Sequence, residues 1–464
     1  MPVSVQNMGT TSPDLYLAVD RGRGVRAQVE AGIRAAVRGG RLAAGTRLPS
    51  TRALAADLGV TRRLVVEAYD QLAAEGYVSA RQGAGTVVNA VPRGTGAAPS
   101  AEAGRRLVVD FRPGHPDPAL FPRAAWARAS RAVCAGLGAA ELDGGDRRGL
   151  PGLRTALAEY LGRVRGVDAH PDRIVVCSSF GHAVDLLVRV LPAHRFAVEE
   201  PGYPVPRNRL LRDGRRVDPV AVDGEGLIVD ALRRTTARAV VVTPAHQSPT
   251  GVAMSPARRN ALVTWARDVD GYVVEDDFDA EFRYDRRPVG ALQGLAPERV
   301  VYCGTTAKTL ATGLRLGWAV LPAALVDEVV ALRADTDGAT SAILQATFAQ
   351  LLRSSDLDRH LRRSRRVYRV RRDAVVAAVR RWLPQATVGG IAAGLNVVLT
   401  LPDGTDEQAV VARAAERGVG VYPHKWFTAD PGCARPGLVL GYGTVSPEQA
   451  EQGVRVLGEV VAAR

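Results

Sequence analysis

The sequence predicts a multidomain protein: a small, mostly helical N-terminal domain with a β hairpin, followed by a large α/β domain. Three observations predict this division. Arginines are concentrated near the N-terminus, residues 89–106 are rich in Ala, Gly, Pro and Ser, and β-prone runs alternate with helical stretches beyond them. A chain of 464 residues can form two or three domains with separate apolar cores.

Three helices are predicted in the N-terminal domain. The first carries apolar residues at a four-residue spacing, namely Val25, Val29, Ile33 and Val37. The second follows Ser50, which can cap its first turn, and it stops at Gly59, which suits the left-handed conformation. The third follows Thr61. Its apolar face is formed by Leu64, Ala68 and Leu72.

A hairpin is predicted directly after the third helix, where YVSARQGAGTVV places two short β-prone segments around Gly83 and Gly85. Two short helices joined by a tight turn form a helix-turn-helix, and the hairpin would be its wing. We therefore predict a winged helix-turn-helix over residues 14–90 and a linker over 91–107.

The distribution of charge favours a polyanionic partner for this domain. Between Asp20 and Arg93 there are twelve arginines and six acidic residues, and the whole chain has a net charge of +13. Phosphate contacts by cationic side chains supply most non-specific affinity for DNA. A coding bias toward arginine is the alternative explanation, because Lys308 and Lys425 are the only lysines.

The segment LPSTRALAADLGVTRRLVVEAYDQLAAEGYVSARQGAGTVV strongly resembles the winged helix-turn-helix of GntR-type transcriptional regulators. This resemblance implies binding to double-stranded operator DNA, with the start of the third helix in the major groove and the wing along the backbone and minor groove. The predicted DNA-binding residues are Arg52, Thr61, Arg62, Arg63, Arg81, Gln82, Gly83 and Gly85.

Beyond the linker, six β-prone runs alternate with helical stretches: RIVVCSS, RFAVEEP, RAVVVTP, YVVEDD, RVVYCGT and GWAVLP. Alternation of this kind predicts a mainly parallel sheet covered by helices. From about residue 331 a long arginine-rich helical stretch is followed by a mixture of strands and helices. We therefore predict one domain over 108–464, with a large subdomain to about residue 330 and a small one after it.

Seven motifs follow one another in this domain: FRPGHPDPALFP, LPGLRTALAEYL, SSFGHAVDLL, EEPGYP, TPAHQSPTG, VVEDDFDAEFRY and GTTAKTLATGLRLGW. Together they resemble fold-type I enzymes that use pyridoxal 5'-phosphate (PLP). Their order after a GntR-type domain resembles the MocR subfamily of GntR regulators. The resemblance implies an aminotransferase-like fold, PLP as cofactor and a homodimer, since fold-type I sites are built at subunit interfaces.

A Schiff base with PLP needs a lysine amine, and Lys308 lies just after the strand RVVYCGT, where α/β sheets place their ligands. Lys425 is the rival, but its flanks do not match the family's lysine motif. A carboxylate is needed beside the pyridine nitrogen. Asp276 is the first candidate for this position and Asp277 the second.

Further cofactor contacts are predicted from chemistry and from the resemblance. The phosphate requires backbone donors at a helix start, a hydroxyl and a cation, which predicts Ser179, Phe180, Gly181, Thr305 and Arg315. The resemblance implies that Tyr203 stacks on the cofactor ring, although a turn tyrosine with an exposed hydroxyl is the alternative. His246 would line the site, or serve only a structural role.

Several positions depart from the pattern of relatives. Phe278 replaces a tyrosine that would contact the PLP phenolic oxygen, Ser248 replaces an asparagine, and Ala307 replaces a serine before the lysine. The segment LDGGDRRG lacks a tyrosine that would reach the partner's phosphate, and GLVLGYG lacks the arginine that binds a substrate carboxylate. These changes weaken the case for efficient transamination.

Three functions remain open from the sequence. The first is a regulator in which PLP, or an amine or amino acid that reacts with it, acts as effector. The second is an aminotransferase with an accessory DNA-binding domain, and the third is a regulator that uses the large domain only for dimerisation. No run is long and apolar enough to span a membrane, so a cytoplasmic protein without a membrane partner is expected. The four scattered cysteines predict buried thiols and no metal site.

Overall fold

The structure is a computed structural model, and it describes residues 17, 19–20, 24–81, 85–90, 107–284, 289–429 and 435–463. The chain divides into two compact units, of which the first includes the described residues up to 90 and the second those from 107 onward. The predicted linker lies almost entirely outside the described residues.

The N-terminal unit contains three helices and one hairpin. They are α1 (Val25–Arg38), α2 (Thr51–Leu58), α3 (Arg62–Ala74), β1 (Val78–Arg81) and β2 (Gly85–Val88). Ser50 caps α2, because its hydroxyl accepts a hydrogen bond of 3.2 Å from the backbone N–H of Ala53. Gly59 ends that helix with a φ of 61°, a backbone conformation that a residue without Cβ adopts without strain. The predicted helix-turn-helix is confirmed.

The apolar faces of the three helices meet in one core, to which the hairpin contributes Val78 and Val88. The α3 side chains at its centre are Val65, Ala68, Tyr69 and Leu72. Thr61 occupies the N-cap position of α3, as expected, but its hydroxyl makes no capping hydrogen bond. A bridge between Arg47 and Val87 ties the turn before α2 to the hairpin, so the wing is held by the body of the domain.

The C-terminal unit contains fourteen strands and twelve α-helices among its described residues. In chain order they are β3 (Val109–Asp110), α4 (Arg123–Gly136), α5 (Ala139–Leu142), α6 (Pro151–Arg165), β4 (Ile174–Cys177), α7 (Phe180–Val190), β5 (Arg195–Glu200), α8 (Pro204–Arg212), β6 (Arg216–Asp223), β7 (Gly226–Leu227), α9 (Val229–Arg233), β8 (Ala239–Val242), α10 (Pro256–Asp268), β9 (Tyr272–Asp277), β10 (Val300–Thr305), β11 (Gly317–Val320), α11 (Ala323–Asp335), α12 (Ala342–Arg353), α13 (Asp356–Trp382), β12 (Thr387–Gly389), β13 (Asn396–Thr400), α14 (Glu407–Glu416), β14 (Val419–Gly420), β15 (Tyr422–Pro423), β16 (Gly437–Gly441) and α15 (Pro447–Ala462).

Eight of these strands form one sheet in the order β4-β11-β10-β9-β8-β5-β6-β7. The pairs from β10 to β6 are parallel, whereas β11 runs antiparallel to both of its neighbours and β7 is antiparallel to β6. All six predicted strands belong to this sheet. The prediction of a mainly parallel sheet is confirmed, and the antiparallel β11 makes the sheet mixed. Its central strands are buried on both faces, which explains their nearly continuous apolar runs.

A second, four-stranded sheet lies in the C-terminal part of the chain, with the order β12-β13-β16-β15. The short strand β3, at the beginning of this unit, pairs in parallel with β14 near its end. The helix α13 is 27 residues long and leads from the large subdomain into this second sheet. The segment around Val109 is therefore bound to the C-terminal part of the chain.

The prediction of buried thiols can be compared with the structure. Cys177 and Cys303 are buried, as predicted, but the prediction is wrong for Cys134, which is exposed on α4, a helix with only one buried residue. Among the described residues no helix is long and apolar enough to cross a membrane. The described side chains also form no cluster of three or more residues suited to hold a metal ion.

The separate core of the N-terminal unit generates a prediction for stability. Leu72 is fully buried in that core, so Leu72→Ala should destabilise the N-terminal unit by about 2–5 kcal/mol, the usual cost of a leucine truncation that leaves a cavity. Scanning calorimetry should show the transition of this unit at a lower temperature and the transition of the larger unit unchanged. Asp70→Ala, at an exposed position of the same helix, is the control and should shift neither transition.

Candidate functional site

The predicted cofactor residues gather at one edge of the large sheet. The strands β4, β5, β8, β9 and β10 run in the same direction, so their carboxyl ends lie along this edge. Ser179 follows β4, Tyr203 follows β5, His246 follows β8, Asp276 lies near the end of β9, and Lys308 follows β10. Open α/β sheets bind their ligands at this edge.

Lys308 is held close to two carboxylates in a largely buried position. Its Nζ donates a hydrogen bond of 2.6 Å to the carbonyl oxygen of Gly114, from the predicted FRPGH motif. Burial lowers the pKa of Lys308, while Asp279 and Asp276 act in the opposite direction. The side chain is therefore an amine of reduced basicity beside acidic groups, which is the state that a nucleophilic lysine requires.

The two adjacent acids of β9 have different environments, because successive side chains of a strand point to opposite faces. Asp277 points away from Lys308, and its Oδ2 accepts hydrogen bonds of 2.7 Å from both Arg165 and Tyr302. Asp276 is buried, and its Oδ1, like that of Asp277, has no hydrogen-bond partner within the described part of the chain. Burial raises the pKa of Asp276 well above its usual value, with Asp277 adding to the shift and Lys308 opposing it.

The start of α7 forms an anion-binding corner. Ser179 is its N-cap and accepts a hydrogen bond of 3.1 Å from the backbone N–H of His182, while Phe180 and Gly181 begin the helix. The guanidinium of Arg315 donates to the Ser179 hydroxyl over 3.3 Å. Ser179, Arg315 and Arg209 line a cavity of about 630 Å³, together with the carboxylates of Asp185 and Asp337. The positive end of the helix and two guanidinium groups suit this corner to a phosphate.

Arg209 is a member of this corner that sequence reasoning missed. It lies on α8, where it pairs with Asp185 of α7. A Cβ placed on Gly181 would lie 2.8 Å from Arg209 Nη2, so the glycine allows the guanidinium to approach the first turn of α7. The sequence alone could not indicate this contact, because Arg209 is one of many arginines and its neighbour lies 24 residues away.

The remaining predicted cofactor residues lie close by. His246 is buried, and its Nδ1 lies 3.0 Å from Asp279, a pairing that the sequence analysis did not anticipate. The ring of Phe278 lies 6.1 Å from that of His246. Ser248 donates its backbone N–H to the Thr243 hydroxyl over 3.1 Å. The Thr305 hydroxyl accepts from the backbone N–H of Ala307, so it shapes the turn that presents Lys308.

A buried carboxyl group, Glu199, supports the same edge from the end of β5. Its Oε2 accepts hydrogen bonds from the backbone N–H and hydroxyl of Thr243 and from the amide of Gln247, whereas its Oε1 has no partner among the described residues. Burial raises the pKa of Glu199 to about 7, and the three donors oppose the shift. Its charge also raises the pKa of Asp276.

Lys425 occupies a different environment from Lys308. It belongs to a short 3-10 helix over His424–Phe427, where its backbone N–H donates to Glu407 over 3.0 Å. Asp276 and Asp279 act on the pKa of Lys308, whereas Lys425 acts on the pKa of Glu407. The two lysines therefore lie in different environments.

In the N-terminal unit, Arg52, Thr61, Arg62 and Arg63 are all exposed. Arg62 donates to the Thr51 hydroxyl over 3.4 Å, so the starts of α2 and α3 lie next to each other. Gly85 begins β2 with a φ of 76°. Gln82 and Gly83 lie outside the described residues, as does the side chain of Arg81. Arg47, an exposed arginine near Gly85, was not predicted and adds a further cation beside the wing.

Comparison with known proteins matches both units. Residues 25–88 match the family model of bacterial regulatory proteins of the gntR family, and residues 111–455 match that of aminotransferase class I and II. The probable rhizopine catabolism regulatory protein MocR of Rhizobium meliloti is 35% identical over 453 residues, covering 92% of this chain and 91% of the relative. The pyridoxine biosynthesis transcriptional regulator PdxR of Corynebacterium glutamicum is 35% identical over 418 residues, covering 89% of this chain and 90% of the relative.

Among solved structures, the larger unit is similar to LysN, an α-aminoadipate aminotransferase of Thermus thermophilus crystallised with N-(5'-phosphopyridoxyl)-L-leucine. The TM-score is 0.70 with 27% identity, covering 76% of this chain and 92% of that one. Fold and relatives thus define a DNA-binding transcriptional regulator with an aminotransferase-type domain. The chain belongs to the MocR subfamily of GntR-type regulators.

The raised pKa of Glu199 predicts a pH-dependent stability. Its pKa is 4.5 in the unfolded chain and about 7 in the fold, so the folded state binds the proton more tightly. The stability that this proton binding contributes is present at pH 4.5 and is lost as the pH rises to 7. Urea unfolding should show that, from pH 5 to pH 8, the free energy of unfolding of the parent falls by about 2 kcal/mol more than that of Glu199→Gln. Glu159→Gln, at an exposed position, should leave the pH dependence of the parent unchanged. Equal losses in parent and Glu199→Gln would contradict the assignment.

Proposed function

We propose that this regulator binds PLP at Lys308 and responds to PLP, or to an amine or amino acid that reacts with it, by changing its affinity for operator DNA. The observation that carries the proposal is that Lys308 lies at the ligand edge of the sheet within electrostatic reach of the buried Asp276 carboxyl, which has an unpartnered oxygen among the described residues. An unpartnered buried oxygen of this kind is costly unless a ligand donates to it.

The residues at this edge fit the parts of PLP. When bound, PLP supplies an aldehyde that a lysine amine can hold covalently and a ring that accepts electrons. Lys308 provides the amine, Asp276 would face the pyridine nitrogen, and Tyr203 would lie against the ring. Asp276 would keep the proton on that nitrogen, because a buried carboxylate is stabilised by a cationic donor.

The phosphate would bind at the start of α7. The backbone N–H groups of Phe180 and Gly181 are free of helical partners at this end, and Ser179 and Thr305 offer hydroxyl groups. Arg315 and the unanticipated Arg209 supply positive charge from two other elements. His246, Ser248 and Phe278 would line the opposite side of the ring.

The DNA-binding unit would dock through α3, with Thr61, Arg62 and Arg63 toward the major groove and Arg52 toward the backbone. We also propose that the protein acts as a homodimer. Two winged helix-turn-helix units in one dimer would bind repeated or inverted half-sites. An effector that favours one state of the larger domain would then change how well both units fit the operator.

The cofactor proposal predicts a spectroscopic difference between two variants. On titration with PLP, the parent should gain an absorption band near the visible edge, and Lys308→Ala should not, because this variant lacks the amine proposed to hold the cofactor covalently. Lys425→Ala is the matched control, since it removes the other lysine and should keep the band. A parent without the band would refute the proposal and favour a domain used only for dimerisation.

The DNA proposal predicts a change in salt dependence. Arg62→Ala and Arg63→Ala should each weaken binding to duplex DNA. Each should also make the negative slope of the log association constant against log salt concentration shallower, by about 0.9 for each phosphate that the variant no longer neutralises. Fluorescence anisotropy with a labelled duplex at several salt concentrations measures both quantities. Arg267→Ala, an exposed arginine of the larger unit, should leave the slope unchanged. Unchanged slopes for both α3 variants would contradict the proposed interface.

A further inference from the structure

An aromatic cluster borders the Tyr203 turn and is not used by the proposed cofactor contacts. It consists of Tyr422, Trp426 and Phe427, from the segment between β14 and β16. The rings of Tyr422 and Trp426 stack with centroids 5.2 Å apart and planes inclined by 5°, and Phe427 meets the edge of Trp426 at 4.8 Å. Trp426 nevertheless remains 42% exposed. Tyr422 covers one face of the indole, and part of the Trp426 side chain stays accessible to a ligand.

This cluster is fixed against the turn that carries Tyr203. The backbone N–H of Gly202 donates to the carbonyl of Phe427 over 2.8 Å, and that of Ala429 donates to Glu200 over 2.8 Å. These bonds hold the indole of Trp426 beside Tyr203, with ring centroids 6.5 Å apart and planes inclined by 56°. Tyr203 is itself 39% exposed. The two rings thus form an open corner.

The corner lies near Lys308, where the amine of an effector would react. Tyr203 is within electrostatic reach of Asp276, whose charge adds to the effect of burial in raising the pKa of the phenol. On the other side, the backbone N–H of Phe111 donates over 2.7 Å to the carbonyl of Gly420, two residues before Tyr422. The next residue, Arg112, lies two residues before the glycine whose carbonyl binds Lys308. Arg112 is neutralised by Asp110 through bonds of 2.8 and 2.5 Å.

We propose that Trp426, backed by Tyr422, forms a subsite beside the Tyr203 turn for an aryl side chain on the amine effector. This inference rests on the proposed function, since the amine end of the effector would lie at Lys308. The exposed indole favours a planar aromatic group, because stacked and tilted ring pairs are more stable than their buried area alone predicts. An aliphatic side chain that ends in a second ammonium group has no aromatic face and gains no such stacking.

The test uses the PLP-loaded full-length protein and four amines: 2-phenylethylamine, 2-cyclohexylethylamine, n-butylamine and 1,4-diaminobutane. The change in the cofactor absorption band gives an apparent dissociation constant for each. We expect 2-phenylethylamine to bind about three- to tenfold more tightly than the cyclohexyl analogue, which has similar size and no aromatic ring. The tryptophan fluorescence should also change more with the phenyl compound.

Trp426→Leu should bring the phenyl-to-cyclohexyl ratio close to one, and Trp426→Phe should retain part of it. Trp382→Leu, at a partly buried tryptophan bonded to Glu451 at the end of α13, is the matched control and should keep the full ratio and the fluorescence change. Equal affinities for the phenyl and cyclohexyl amines in the parent, or tighter binding of the diamine, would overturn the aryl subsite while the band still supports PLP binding. Absence of the band would instead refute the proposed function.

Discussion

The buried ion pair between Arg165 and Asp277 is the interaction on which the arrangement of the site depends. Both side chains are nearly inaccessible, and Tyr302 donates to the same carboxylate oxygen. A buried charge that loses its partner is strongly destabilising, so Asp277 is fixed on the face of the sheet where Arg165 lies. Because side chains alternate along β9, Asp276 must then point to the opposite face, toward Lys308. One ion pair at the end of α6 thus determines which acid can serve the ligand.

Much of this organisation follows from local sequence. The spacing of Val29, Ile33 and Val37 predicted α1, Gly59 predicted the end of α2, and the position of Asp276 in the strand-end EDDF made it the first candidate beside the pyridine nitrogen. These features depend on residues within one or two turns of each other, for which propensity and periodicity are informative. The ligand edge followed from the rule that parallel strands end together. The site roles themselves stay predictions until the titrations are made.

What the sequence did not predict depends on contacts between distant segments. The antiparallel direction of β11 is not encoded in its apolar run, which would suit either direction. Arg209 reaches α7 from α8, Asp279 pairs with His246 across 33 residues, and β3 pairs with β14 across some three hundred. At Thr61 a contact that residue type suggests is missing: a threonine stands at the N-cap position, as expected, but its hydroxyl makes no capping hydrogen bond. Residue type alone does not fix such pairings.

The long helix α13 gives the larger domain a mechanical property. His360 bonds the carbonyl of Thr309, the residue after Lys308, while Arg365 and Arg369 bond carbonyls of the segment that follows Asp279, and Arg371 pairs with Asp117 near the Gly114 turn. Because one continuous helix bonds three otherwise separate loops, a rotation of α13 would displace all of them together. A change beside Lys308 that moved α13 would therefore also move the last residues of the helix, which lead into the second sheet.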